Sequence, residues 1–196
     1  MSNLTLNMSD GELIRRFKEG EPWAFEALVD KYAGKAFQIA YGVLGNRQDA
    51  EEVSQDVFIR IHKALPNFRG DSEFSTWMYR IAVNLARNKY RWNRSRGSEK
   101  NLSMDATLGD QDGSEMSRIL ASPEKAPDDA AANNEFEAEV MTQLQALPDL
   151  YREPLVLRNL DDMSYDRIAT LLGCRLGTIK SRIARAREEM RKRLRV

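Results

Sequence analysis

Apolar residues along this chain recur every three or four positions and nowhere alternate over a useful length, which restricts it to helices. The clearest run is Val53, Val57, Ile61 and Leu65, each four residues from the next, in a segment that opens at Asp49 and is stopped by Pro66. Before it, Ser9 and Asp10 are placed to cap a first helix with Leu13, Ile14 and Phe17 on its inner face. Pro22 opens a second, in which Phe25, Leu28, Val29, Tyr32, Ala36, Ile39, Ala40 and Val43 keep the period until Gly45 and Asn46. A turn-rich loop, Asn67 to Ser72, leads into a long helix from Phe74 to about Arg94. Periodicity then lapses and returns at Asn133, where Phe136, Val140, Leu144 and Leu147 mark a helix that stops before Pro148. Asp149 is placed to cap the next, to about Leu160, in which Pro154 costs a hydrogen bond unless it lies close to the start. The expected fold is all-α: two small helical domains, residues 9–98 and 133–196, joined by a flexible acidic linker over 99–132.

The C-terminal segment carries the sharpest functional signal. Ser164 is a plausible N-cap, Ile168, Ala169 and Leu172 share one face, and Gly173 sits where a glycine lets the chain turn. In the helix that follows, Ile179, Ile183, Ala186 and Met190 form an apolar stripe, opposite Lys180, Ser181, Arg182, Arg185 and Arg187. Ala184 leaves a gap on that face for a base edge or a thymine methyl. A merely solvated face would mix its signs. Here nine bases from Arg175 to Arg195 face only Glu188 and Glu189. Helix, glycine turn and basic second helix form the pattern of a helix-turn-helix that lays its second helix in a DNA major groove.

The net charge of zero, from 30 basic and 30 acidic side chains, hides a sorted distribution. Between Arg80 and Arg96 every charged residue is basic, whereas the 99–132 stretch carries eight acids against Lys100, Arg118 and Lys125. Two basic modules flanking an acidic spacer suit two separate contacts on a polyanion. The first module also interleaves rings with cations: Phe68, Phe74, Trp77, Tyr79, Tyr90 and Trp92 among Arg69, Arg80, Arg87, Lys89 and Arg91. Rings that stack on unpaired bases, beside cations that track the backbone, hold single-stranded nucleic acid. Phe74, Met78, Ile81 and Leu85 read as the buried stripe of this helix, while Tyr79, Arg80, Asn84 and Arg87 fall off it and are candidates for contact. Trp77, at the helix start, is suited to either role.

Four blocks taken together resemble the extracytoplasmic-function sigma factors, compact two-domain members of the bacterial primary-sigma family, and sigma-E-like ones in particular. They are DAEEVSQDVFIRIHKAL, FRGDSEFSTWMYRIAVNLARN, ALPDLYREPLVLRNLDDMSYDRIATLLG and GTIKSRIARAREEMRKRL, in order and covering both domains but not the linker. The resemblance implies promoter recognition, DNA melting and transcription initiation, for a stress or envelope-signal regulon. It implies docking on the beta-prime coiled coil of core RNA polymerase through Asp49, Glu52, Gln55, Asp56 and Phe58, and a further contact with the beta flap. It assigns the unpaired downstream (minus-ten) element to Asn67, Phe68, Arg69, Gly70, Asp71 and Ser72, with Trp77, Tyr79, Arg80, Asn84 and Arg87. The upstream (minus-thirty-five) duplex falls to Arg175, Thr178, Lys180, Ser181, Arg182, Ala184, Arg185 and Arg187. Many relatives carry a bulkier residue at the Ala184 position, so their upstream preference does not transfer. An anti-sigma factor is a further partner the family implies.

Other classes fit less well. With His62 as its one histidine and Cys174 as its one cysteine, the chain lacks a Cys/His zinc cluster, and no phosphate-cradling loop or nucleophilic triad pattern is present. No enzyme activity and no cofactor are expected. A conventional helix-turn-helix regulator is the alternative, but it leaves the aromatic-basic strip of the first domain unused and would need a dimerisation heptad that is not visible. The N-terminus has neither a basic region nor an apolar core of the signal-peptide kind, and no window is long and apolar enough to span a membrane, so the expected location is cytoplasmic.

Overall fold

The computed structural model describes residues 8–100, 127–160 and 163–194. Among them are eight α-helices and no strand: α1 (Asp10–Lys18), α2 (Pro22–Leu44), α3 (Arg47–Ala64), α4 (Phe74–Lys100), α5 (Pro127–Gln145), α6 (Asp149–Leu160), α7 (Tyr165–Leu172) and α8 (Leu176–Leu194). A single 3-10 turn, Leu65–Asn67, follows α3. No helix among the described residues is long and apolar enough to cross a membrane.

Local chemistry sets the helix ends. The Ser9 hydroxyl accepts the Glu12 amide at the start of α1, and Asn46 Oδ1 accepts the Asp49 amide at 2.9 Å at the start of α3. Gly45, at φ 68°, ends α2 with its N–H on the Tyr41 carbonyl at 2.8 Å, a left-handed position that costs glycine little. Asp149 does not act as the expected cap. The Pro148 carbonyl accepts the amides of Tyr151 and Arg152, and the Asp149 carboxylate instead receives Arg152 Nη2 at 2.7 Å. Pro154 lies well inside α6; the carbonyl it leaves free belongs to Leu150, an exposed residue. α4 runs on to Lys100 and α5 begins at Pro127, at the two ends of the 99–132 stretch expected to be a linker, and residues 101–126 lie outside the described part.

Helices α1 to α4 build the first core, with Leu28, Ile39, Val57, Ile61, Leu65 and Met78 almost wholly buried. In helices α5 to α8, Ile168, Ile179 and Ile183 continue the same buried cluster, and Leu147, Leu155 and Ala186 form a smaller one of their own. The two groups of helices are packed together. α6 lies against α2, and α7 lies against α4. The fit is close at Gly42, where an added Cβ would stand 2.7 Å from Val156 Cγ1.

Candidate nucleic-acid interface

Two surfaces carry the candidate residues, and their states differ. The first is the 67–73 loop with the outer side of α4. Gly70, at φ 80°, turns the loop, and Lys18 Nζ holds it by donating to the Phe68 carbonyl at 2.6 Å. Phe68 packs on Trp77 with ring centroids 4.8 Å apart, and Phe74 closes the cluster edge-on at 6.3 Å from Phe68. Asn67, Arg69, Gly70, Asp71 and Ser72 are exposed, and Trp77 is half-buried. Along α4, Trp77, Arg80, Asn84, Arg87 and Arg91 follow at steps of three and four, forming one stripe about 21 Å long.

Tyr79 does not belong to that stripe. It is only 2% exposed and packs into the core with the Arg167 guanidinium 5.5 Å from its ring centre. The reason is angular: five positions at about 100° each place it about 140° round the helix from Asn84. The buried face of α4 is therefore wider than the expected stripe, and takes in Ala82, Val83 and Ala86 as well. Arg80 and Arg87 do lie outward, but both meet the second domain. Arg80 Nη2 donates to the Thr170 carbonyl at 3.3 Å. Arg87 grips Glu153 with two arms, Nε to Oε1 at 2.7 Å and Nη2 to Oε2. The hydrogen-bonded contact with Glu153, together with its negative charge, outweighs the cost of burial and holds the Arg87 guanidinium still more firmly in its charged form.

On α3 the expected docking residues divide. Glu52, Gln55 and Asp56 are exposed. Phe58 is 8% exposed and belongs to the core, because it follows Val57 by one position on the inner side. Asp49 and Glu52 are already engaged by Lys89, at 3.3 and 2.6 Å, and Asn93 donates to Asp49 at 2.7 Å. The reading missed Ile59, an apolar residue 51% exposed beside Gln55 and Asp56. Its spacing of seven from Glu52 was the available signal.

The second surface is the turn between α7 and α8. Ser164 Oγ accepts the Arg167 amide at 3.3 Å, Gly173 stands at φ 62°, and the Cys174 amide bonds back to the Ala169 carbonyl at 3.0 Å. Ile179, Ile183 and Ala186 of α8 are buried, so the opposite face is fixed outward. There Arg175, Lys180, Ser181, Ala184, Arg185 and Arg187 are exposed, and Thr178 and Arg182 half-buried. Arg182 Nη1 donates to Cys174 Sγ at 3.2 Å and Ser181 Oγ to the Thr178 carbonyl at 2.9 Å. Lys192 pairs with Glu188 at 2.9 Å, beyond the candidate face, and raises its own affinity for a proton as it lowers that of Glu188.

The sigma-70 region 2 family pattern matches residues 28–96, and the sigma-70 region 4 pattern matches residues 137–190. The chain is 40% identical over 185 residues to the RNA polymerase sigma-H factor of Pseudomonas aeruginosa, spanning 94% of this chain and 93% of that one. It is 33% identical over 181 residues to the ECF RNA polymerase sigma-E factor of Escherichia coli, spanning 92% of each. The fold is similar to that of CnrH, solved in complex with the cytosolic domain of CnrY, at a TM-score of 0.63 and 26% identity, over 94% of this chain and 96% of that one. With both regions matched in order and a curated relative aligned nearly end to end, the chain belongs to the sigma-70 family, as an extracytoplasmic-function RNA polymerase sigma factor: a DNA-binding initiation subunit and not an enzyme.

Proposed function

We propose that this sigma factor divides promoter reading between its two surfaces. The 67–72 loop and the α4 stripe hold the unpaired strand of the downstream element. Trp77 and Phe68 offer ring faces, Asn84 offers a donor and an acceptor to a base edge, and Arg80 and Arg87 meet phosphates. The outer face of α8 reads the upstream duplex, with Lys180, Ser181, Ala184 and Arg185 toward bases and Arg175, Thr178, Arg182 and Arg187 toward the backbone. Gln55, Asp56 and Glu52, with Ile59 among them, dock on the beta-prime coiled coil, and the C-terminal domain meets the beta flap. Residues 9–98 act as the melting domain and 133–196 as the duplex-reading domain, joined by the acidic segment between them.

The single observation that carries the reading is the pair of outward basic faces, each backed by a buried apolar face that fixes its direction. A factor of this kind works in the cytoplasm beside core polymerase. It serves a stress or envelope-signal regulon and answers to an anti-sigma factor. Permanganate footprinting of promoters opened by the reconstituted holoenzyme tests the assignment. Asn84→Ala should keep core binding and lose thymine reactivity in the downstream element. Unchanged reactivity would remove α4 from strand reading.

A further inference from the structure

The apolar backing of α4 ends before its basic stripe does. Buried side chains recur along α4 from Phe74 to Ala86, and from Arg87 to Arg96 none is buried. Arg91 lies in that second stretch, exposed, with no ion pair or hydrogen bond from its side chain among the described residues. No apolar face aims it. A polar contact with α3 does. Lys89 Nζ stands 3.3 Å from Asp49 Oδ1, and Asn93 Nδ2 donates to Asp49 Oδ2 at 2.7 Å. Lys89 and Asn93 are one turn apart on the same face, and Arg91, two residues from each, projects about 160° round the helix from both. A carboxylate that grips both therefore fixes the rotation of this turn and the direction of Arg91.

Asp49 is itself held in place. Asn46 Oδ1 accepts its amide at 2.9 Å, which fixes the first turn of α3. The Asp49 side chain is 23% exposed and that of Lys89 17%, so water screens this pair less than it screens an open surface pair. Each oxygen of Asp49 already has a partner on α4. Glu52 also takes Lys89, at 2.6 Å, but its side chain is 59% exposed and stays open to another molecule. Their places on α3 differ in the same sense: Glu52 lies about 20° round the helix from the outward Ile59, and Asp49 about 80° from it, toward α4.

We infer that Asp49 is a positioning residue for strand reading and not a polymerase contact: through Lys89 and Asn93 it holds the later turns of α4 so that Arg91 meets a phosphate of the unpaired strand. The family resemblance places Asp49 in the docking set with Glu52, Gln55 and Asp56. Its geometry assigns it to α4 instead, and leaves docking to the other three with Ile59. The first half of the stripe has no need of such a contact, because a buried face backs Trp77, Arg80 and Asn84. This inference rests on the reading of α4 as the strand surface.

Full-length variants assembled with core polymerase test it. Asp49→Asn and Lys89→Met break the charge pair from opposite sides. Both should stay folded at the assay temperature and bind core as the parent does, yet open promoters about fivefold more slowly by permanganate reactivity. The double variant should lose no more than either alone, since both act on one contact. Lys89→Arg, which keeps the pair, should open promoters at the parent's rate. Arg91→Ala should show the same loss, and adding Asp49→Asn to it should cost nothing further. A docking role predicts the opposite split, with core affinity lost in Asp49→Asn and kept in Lys89→Met, where the carboxylate is freed; that result overturns the inference. So does opening that falls only in step with the folded fraction in thermal melts, the mark of an ordinary stabilising pair. If Arg91→Ala opens promoters normally, the Asn84→Ala footprint separates the causes. Lost melting there leaves the strand reading standing and refutes the role of Asp49 alone, and normal melting refutes both.

Discussion

Helices α4 and α8 are alike in sequence, each pairing an apolar stripe with a basic one, yet the folded molecule uses their bases differently. On α8 the cations at Lys180, Arg185 and Arg187 point into solvent, with no ion pair or hydrogen bond from their side chains among the described residues. On α4 Arg80 and Arg87 are held by Thr170 and Glu153, and Lys89 is spent on Asp49 and Glu52 of α3. A basic stripe is thus a statement of capacity. Whether the capacity is free depends on what else in the same chain has carboxylates and carbonyls to offer.

Arginines of the C-terminal domain sharpen this contrast most strongly. Arg152 is fully buried, its Nη1 on the Gln145 carbonyl at 3.0 Å and its Nη2 on Asp149 at 2.7 Å. Removing it leaves a cavity and an unsatisfied carbonyl, so Arg152→Ala should lower unfolding free energy by about 3 kcal/mol in urea melts. Arg185→Ala should stay within about 0.5 kcal/mol of the parent in the same melts. Equal losses in the two would mean that α8 is not turned outward.

A smaller effect lies in DNA binding. In holoenzyme competition assays Arg185→Ala should cost about 1–3 kcal/mol of upstream-element discrimination and relax preference at one base pair. Arg187→Ala, at a proposed backbone contact, should weaken all duplexes alike and reduce the salt slope by about one. Duplex affinity of the upstream element should not respond to Arg87→Ala at all. A response there would break the division of labour between the helices.

The smallest effect is acid dependence at the far end of the first domain. Two-sided pairing with Arg15 and Arg16 lowers the Glu12 carboxyl from its ordinary 4.5 to about 2. A carboxyl whose folded value is depressed stabilises the fold above its unfolded value, and that stabilisation is lost as pH falls from about 4.5 toward 2. The cluster is on the surface, so the effect is slight and screened by salt. Thermal melts of Glu12→Gln should run just below the parent near neutral pH and converge with it toward pH 2. A gap that persists in acid would show that Glu12 acts through packing and not through charge.

Local signals carried a large part of this protein. Ser9, Ser164, Gly45 and Gly173 mark helix ends because capping oxygens and left-handed glycines act within four residues of one another. The Val53, Val57, Ile61, Leu65 run and the Ile179, Ile183, Ala186 run became core as their spacing requires. Errors came where one position on a helix had to be judged by its neighbours in space. Tyr79 and Phe58 look like contact residues in a list of aromatics, yet each is turned inward, because α4 and α3 are packed on more than one side. Asp149 has the chemistry of a cap, but the buried guanidinium of Arg152, three residues on, claimed its carboxylate first.

The sequence by itself determined the all-helical architecture, the helix-turn-helix and the two basic faces, since period, caps and charge order are properties of the chain within a few residues. Tertiary structure alone decided which of those bases are free. Arg87 meets Glu153 across 66 positions and Arg167 meets Ser75 across 92, and no local pattern encodes such a pair. Their meeting depends on how α6 and α7 are set against α2 and α4, through a close fit at Gly42 and Val156 that only the assembled helices create.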